Sequence, residues 1–309
     1  MKWFWLGIVF ILAGGLFATA QWVHGQAGHD WKTVERLIGY PGQAEGDGLK
    51  INVPRSDLNV LVHGSWIDPR AGLNSWFAFK SLPKGSLLRA EMVLVDWEVP
   101  RVEALLASYQ LTLTAIYRPF NGENPGVACV DFTGKGPRVL LAQEVRALLG
   151  ATSMPLTLIP SAANPPTPVQ TAFSLPLEKI LGPAQWLGGV LSFSYTPAEP
   201  VMNERVSIPS YMGYETVFYF QPEGKQANVY GQWVLSPVVA RNVVESLMKN
   251  HIGMTGIHSE LLDLSPSMVF IRFWAEGNPA KIAKALKEAL AQTKLVGWTP
   301  GQTIQTEKP

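Results

Sequence analysis

The chain repeats itself once, at a fixed interval. Thr255 to Trp274, TGIHSELLDLSPSMVFIRFW, echoes Thr114 to Phe132, TAIYRPFNGENPGVACVDF, 141 residues earlier. The same interval pairs Ile116 with Ile257, Pro125 with Pro266, Phe132 with Phe273 and Gly136 with Gly277. Without a gap it also pairs Gly48 with Gly189, Phe77 and Phe79 with Phe218 and Phe220, and Val102 and Leu106 with Val243 and Leu247. The shared positions are mainly apolar. A duplicated fold keeps its core because losing a buried methyl group costs about 1 kcal/mol or more. Two tandem copies are expected, over residues 30–150 and 177–295. A chain of 309 residues with 47% hydrophobic content can give each copy its own core.

The net charge of +1 carries no long run of one sign. That argues against nucleic acid, which needs a basic face. Cys129 is the only cysteine. It cannot form an internal disulfide, and in the apolar run Val127 to Val130 it reads as a small buried hydrophobe. At the N-terminus, Lys2 precedes an apolar run from Trp3 to Phe17 and then Ala18-Thr19-Ala20. This is the pattern of an export signal over residues 1–20, with Gln21 first after cleavage. Left uncleaved, the run is nearly long enough to anchor the chain in a bilayer. Either way the mature protein is expected outside the cytoplasmic membrane, touching it only through that segment.

Inside the first copy, Thr33 to Ile38 reads as a short helix stopped by Gly39. Leu49, Ile51 and Val53 alternate as in a half-buried strand, and Ser75 to Phe79 and Leu87 to Val95 follow. Val99, Val102, Leu106 and Tyr109 share one helical face. Strands at Leu111 to Ile116 and Gly126 to Phe132 then lead into a helix over Arg138 to Leu149. This order predicts an α+β fold of two pseudo-symmetric repeats. Each is a mainly antiparallel sheet with split βαβ-like helices on one face. Prolines punctuate Ala151 to Pro176, which reads as a semi-extended linker. Residues 296–309 read as a polar tail.

Several motifs fall in order. They are Pro54-Arg55-Ser56-Asp57-Leu58, then Gly64, Pro69 and Leu73-Asn74-Ser75-Trp76, then Glu91-Met92-Val93-Leu94-Val95-Asp96-Trp97-Glu98-Val99, Thr114-Ala115-Ile116 and Gly134-Lys135-Gly136. In these the chain resembles the LppY/LpqO family, secreted or lipoprotein domains of unknown function. The resemblance implies a site of three histidines and a glutamate, a set that looks like a metal or catalytic centre. At the matching positions this chain carries Tyr117, Pro119 and Asp131 with Glu123 in the first copy. In the second it carries His258, Glu260 and Arg272, with Leu264 at the acid position. The family's histidine set is therefore largely replaced here.

The candidate site residues are His258, Glu260, Arg272, Tyr117, Arg118, Glu123 and Asp131. His258 and Glu260, two apart on a strand or its exit, can face one side. They would supply two zinc ligands, where catalytic zinc takes three from protein. Otherwise His258 is a hydrogen-bonded surface or pocket histidine paired with its neighbours. As an alternative, Arg272 and Glu260 can form an ion pair bridging two strands, and Arg118 with Asp131 can do the same in the first copy. Ser81 and Lys84 have S-x-x-K spacing, but Pro83 puts them in a turn between strands, whereas acyl-transfer enzymes open a helix there. Asp96 and Glu98 precede a helix and would favour its N-terminus. Exposed tryptophans would suit glycan or apolar contact.

Two functions of different class follow. One is a non-enzymatic cell-envelope protein that binds a ligand or partner and needs no cofactor. The other is a metal binder or metal-dependent enzyme, with zinc or another divalent ion at His258 and Glu260.

Overall fold

The computed structural model describes residues 31–156, 167–198, 200–203, 205–259 and 264–297. The export segment, Glu260 and the polar tail's end lie outside the described residues. The first copy begins with α1 (Trp31–Ile38), which stops at Gly39 with φ +88°, and continues through β1 (Gly42–Glu45) and β2 (Gly48–Pro54). A small hairpin of β3 (Leu61–Val62) and β4 (Ser65–Trp66) follows, then the long hairpin β5 (Asn74–Ser81) and β6 (Ser86–Val95). The copy closes with α2 (Val99–Ser108), β7 (Thr112–Tyr117), β8 (Glu123–Asn124), β9 (Val127–Gly136) and α3 (Arg138–Gly150).

The second copy runs α4 (Pro168–Leu181), β10 (Gln185–Leu187), β11 (Val190–Pro197), β12 (Val201–Asn203) and β13 (Val206–Ile208). A 3₁₀ turn over Ser210–Met212 leads to β14 (Thr216–Glu223) and β15 (Gln226–Leu235). Then come α5 (Pro237–Lys249), β16 (Gly253–His258), β17 (Leu264–Ser265), β18 (Val269–Gly277), α6 (Pro279–Leu290) and β19 (Leu295–Gly297). All pairings are antiparallel. The first large sheet is ordered β1-β2-β5-β6-β9-β7 and the second β10-β11-β14-β15-β18-β16, with β19 added on β11. No helix among the described residues is long and apolar enough to cross a membrane.

The duplication extends to single hydrogen bonds. Ser75 Oγ accepts from the Val93 amide at 2.8 Å, and Thr216 Oγ1 accepts from the Val234 amide at 2.8 Å. Both pairs sit at the 141-residue interval. So do the left-handed residues Gln110 (φ 58°) and His251 (φ 56°), the cis bonds before Pro125 and Pro266, and the irregularities at Leu113/Ala115 and Met254/Gly256.

Strand alternation decides the layers. Along β6, Leu88, Ala90, Met92 and Leu94 turn to α1, α2 and α3, with Phe77, Phe79 and Phe132 filling the space between. The second copy does the same with Phe218, Phe220, Trp233 and Phe273 beneath α4, α5 and α6. The opposite faces pack on one another. One apolar cluster joins Val93, Val95 and Phe120 to Tyr230 and Trp274; another joins Trp76, Ala78 and Leu87 to Val234, Met212 and Phe270. The result has four layers: helices, sheet, sheet, helices. Trp76, Trp233 and Trp274 are core, whereas Trp66 and Trp97 are exposed.

Two expectations need correction. Pro168 to Pro176 is not extended linker but the first half of α4. Thr167 caps it, accepting from the Gln170 amide while the Gln170 side chain accepts from the Thr167 amide. Pro168 at the first helical position lacks only a hydrogen no helix uses there. Phe173, Leu177 and Leu181, four apart, anchor the helix on the second core. Glu98, for its part, is fully buried and does not merely favour the start of α2. It holds Arg55 at 2.7 Å and accepts from the amides of Val95 (3.0 Å) and Ser153 (2.7 Å).

Candidate functional site

Two buried polar clusters among the described residues differ in kind. The Arg55–Glu98 pair clamps one copy internally. The second cluster lies between the sheets, where positions related by the repeat interval face each other. Tyr117 and His258 occupy equivalent places at the ends of β7 and β16, and their rings lie 4.1 Å apart at 30°. Asp131 on β9 and Arg272 on β18 are likewise equivalent. Each is paired in register with the neighbouring strand: Asp131 with Glu91 of β6, and Arg272 with Gln232 of β15.

Arg272 links the copies. Its Nη2 lies 2.9 Å from Glu91 Oε2 and also donates to the Tyr117 hydroxyl, which itself donates to Glu91. The guanidinium carbon lies 4.7 Å from the Tyr117 ring centre. The side chains of Arg272 and Glu91 are only 15% and 10% exposed, and Asp131 is fully buried. Burial pushes the Tyr117 phenol well above its ordinary value, with the Arg272 charge opposing. The phenol therefore stays protonated and keeps donating. Burial likewise pushes the Cys129 thiol up, which agrees with its reading as an inert small hydrophobe.

The structure brings together Tyr117, Asp131, His258 and Arg272. Arg118 and Glu123 pair instead at the rim: Arg118 reaches Asp96 at 2.9 Å and Glu123 at 3.3 Å, not Asp131. Glu260 lies outside the described residues, and Arg272 finds its carboxylate on Glu91, from the other copy. Glu91 was missed. One signal could have found it: Arg89 and Glu91 fall on the face of β6 opposite Leu88, Ala90 and Met92. Two charges in a strand with no exposed position require a second polar layer above them. Arg89 meets that layer too, donating to the Met212 carbonyl with its guanidinium carbon 4.4 Å from the Tyr214 ring centre.

These residues do not fit the metal that the family resemblance implies. Zinc gathers deprotonated donors at about 2.0–2.3 Å. Here Pro119 has no donor, and Arg272 puts a permanent cation beside the nearest carboxylate. Among the described residues no group of three or more His, Cys, Asp or Glu could hold a metal ion.

Fold and site define a duplicated α+β protein whose copies meet through an ion-paired polar axis. A family model described as Domain of Unknown Function (DUF1259) matches residues 32–151 and again 176–292. That is more than half of the chain, and the chain belongs to this family. No match is found among curated proteins. Among solved structures the chain is similar to EtuB from Clostridium kluyveri, at 11% identity over 84% of this chain and 96% of that one, with a TM-score of 0.21. It is also similar to a trimeric bacterial microcompartment shell protein, PduB, at 12% identity over 85% and 98%, with a TM-score of 0.23. Likeness at that level defines no common fold.

Proposed function

We propose that this chain is an extracytoplasmic binding protein of the cell envelope, of the LppY/LpqO kind, that acts without a catalytic metal. What carries the reading is the Arg272 guanidinium held between Glu91 and Tyr117. A family whose site elsewhere looks like a histidine centre has, in this chain, an ion pair joining the two copies at the matching place. Buried arginine–carboxylate pairs fix the geometry of what they join; they are not nucleophiles or proton carriers near neutral pH. The export pattern at Lys2 to Ala20 supports the location.

Elemental analysis of protein purified without chelator tests this. The expected result is far less than one equivalent of zinc, manganese, iron or copper. One equivalent of zinc, lost in His258→Ala, would overturn the reading and favour a metal-dependent activity at His258 and Glu260.

A further inference from the structure

The repeat gives the molecule an internal control. The β3–β4 hairpin of the first copy leans on the β14–β15 hairpin of the second, and by pseudo-symmetry β12–β13 leans on β5–β6. At the second junction Leu82, Leu87 and Val206 meet in apolar packing. The 141-residue interval places Glu223, Asn228 and Ser65 at the matching positions of the first. The fold evidently closes this junction with apolar side chains, yet here all three are polar.

They open a cleft of about 450 Å³ lined by Ser65, Glu223, Lys225, Gln226, Asn228 and Glu276. Its walls come from both copies. Glu223 Oε2 accepts from Ser65 Oγ at 2.9 Å and from Asn228 Nδ2 at 2.7 Å. Glu276 Oε1 lies 3.0 Å from His63 Nδ1 and accepts from the Trp274 indole at 2.8 Å. Each carboxylate is thus fixed through one oxygen. His63 itself stands at a hairpin tip with φ +49°, a left-handed state that histidine, like Asn and Asp, adopts more readily than other side chains.

We propose that this cleft binds a neutral polyhydroxylated ligand, a short oligosaccharide. This rests on the reading of the protein as a binder and places the binding away from the axis. The lining offers no apolar side chain for a hydrocarbon. Two carboxylates against one lysine disfavour an anion. Sugar hydroxyls both donate and accept, and so need a mixed wall. The carboxylate oxygens accept, the Lys225 ammonium donates, and the Gln226 amide does both.

Titration calorimetry with maltotriose, cellotriose, mannotriose and chitotriose, each alone, and with calcium chloride alone, tests the proposal. At least one sugar is expected to bind, and Glu223→Leu combined with Asn228→Leu and Ser65→Val is expected to weaken it by about tenfold or more. These substitutions install the side chains of the matching junction, so the melting temperature should hold. Gln226→Ala, at the exposed start of β15, gives a second and milder loss. No binding by any of the four sugars, binding that survives the triple substitution, or binding of calcium alone at the cleft would each overturn the proposal. Failure of all four sugars with metal-free protein removes this ligand class and leaves the binding reading in place. Bound zinc removes that reading whatever the sugars do.

Discussion

Arg272 and Glu91 show how much one side chain can decide. Each is nearly buried, and each is the other's compensation. Arg272→Ala leaves the Glu91 carboxylate between two sheets without its cation, a change worth about 3–5 kcal/mol of stability. Thermal or denaturant unfolding should show it as a large drop. Tyr117 adds a pH signature. A tyrosine in the unfolded chain ionises near about pH 10, whereas burial holds Tyr117 protonated well beyond that. Its contribution is complete below about pH 10 and falls as pH rises further, by about 1.4 kcal/mol per unit. Tyr117→Phe should flatten the alkaline fall by that share, read from urea midpoints between pH 9 and 11. Four members of the axial cluster, Tyr117, Asp131, His258 and Arg272, were legible in the sequence because the repeat and the family resemblance mark their positions. Glu91 was not, because its partner lies 181 residues away and on another sheet.

At the scale of elements, alternation and helical spacing located the main strands and helices, since half-buried elements must show one apolar face. The helix over Pro168–Leu181 was hidden by its prolines. Proline count argues for extended chain, but Thr167, Pro168 and Gln170 form a complete helix start, and Phe173, Leu177 and Leu181 supply the apolar face. Thr167→Ala removes the cap, and circular dichroism with urea unfolding should show a loss of about 1 kcal/mol. The end of β2 is tied to the turn before α2 by Arg55, fully buried and held by Asp57 and Glu98. The second copy has Thr196 and Val239 there, so the clamp is not required by the fold. Once present it cannot lose one member cheaply. Glu98→Gln removes one of the two carboxylates on Arg55 and leaves Asp57 paired with it, and should cost about 1–3 kcal/mol, measured by thermal unfolding.

For the molecule as a whole, the duplication was legible, but the way the copies meet was not. Apolar alternation says that one face of each sheet is covered by helices. It does not say what covers the other. Tyr230, Trp274, Trp76 and Phe270 read equally well as core of either copy, and only the structure shows them packed between the sheets. A copy produced alone would expose that face. Residues 31–156 expressed without residues 167–297 should aggregate, while the two segments co-expressed should purify together as a one-to-one complex. Monomeric, soluble first copy would count against the four-layer arrangement.

The axis between the copies is the centre of this account, and a double-mutant cycle on Glu91 and Arg272 tests it most directly. Glu91→Gln, Arg272→Gln and the pair would be compared by denaturant unfolding. If the two side chains form the structural ion pair described above, the double variant is less destabilised than the sum of the singles by about 1–3 kcal/mol. Additivity within about 0.5 kcal/mol would show that the two are not coupled, and the closed axis, together with the function inferred from it, would fall.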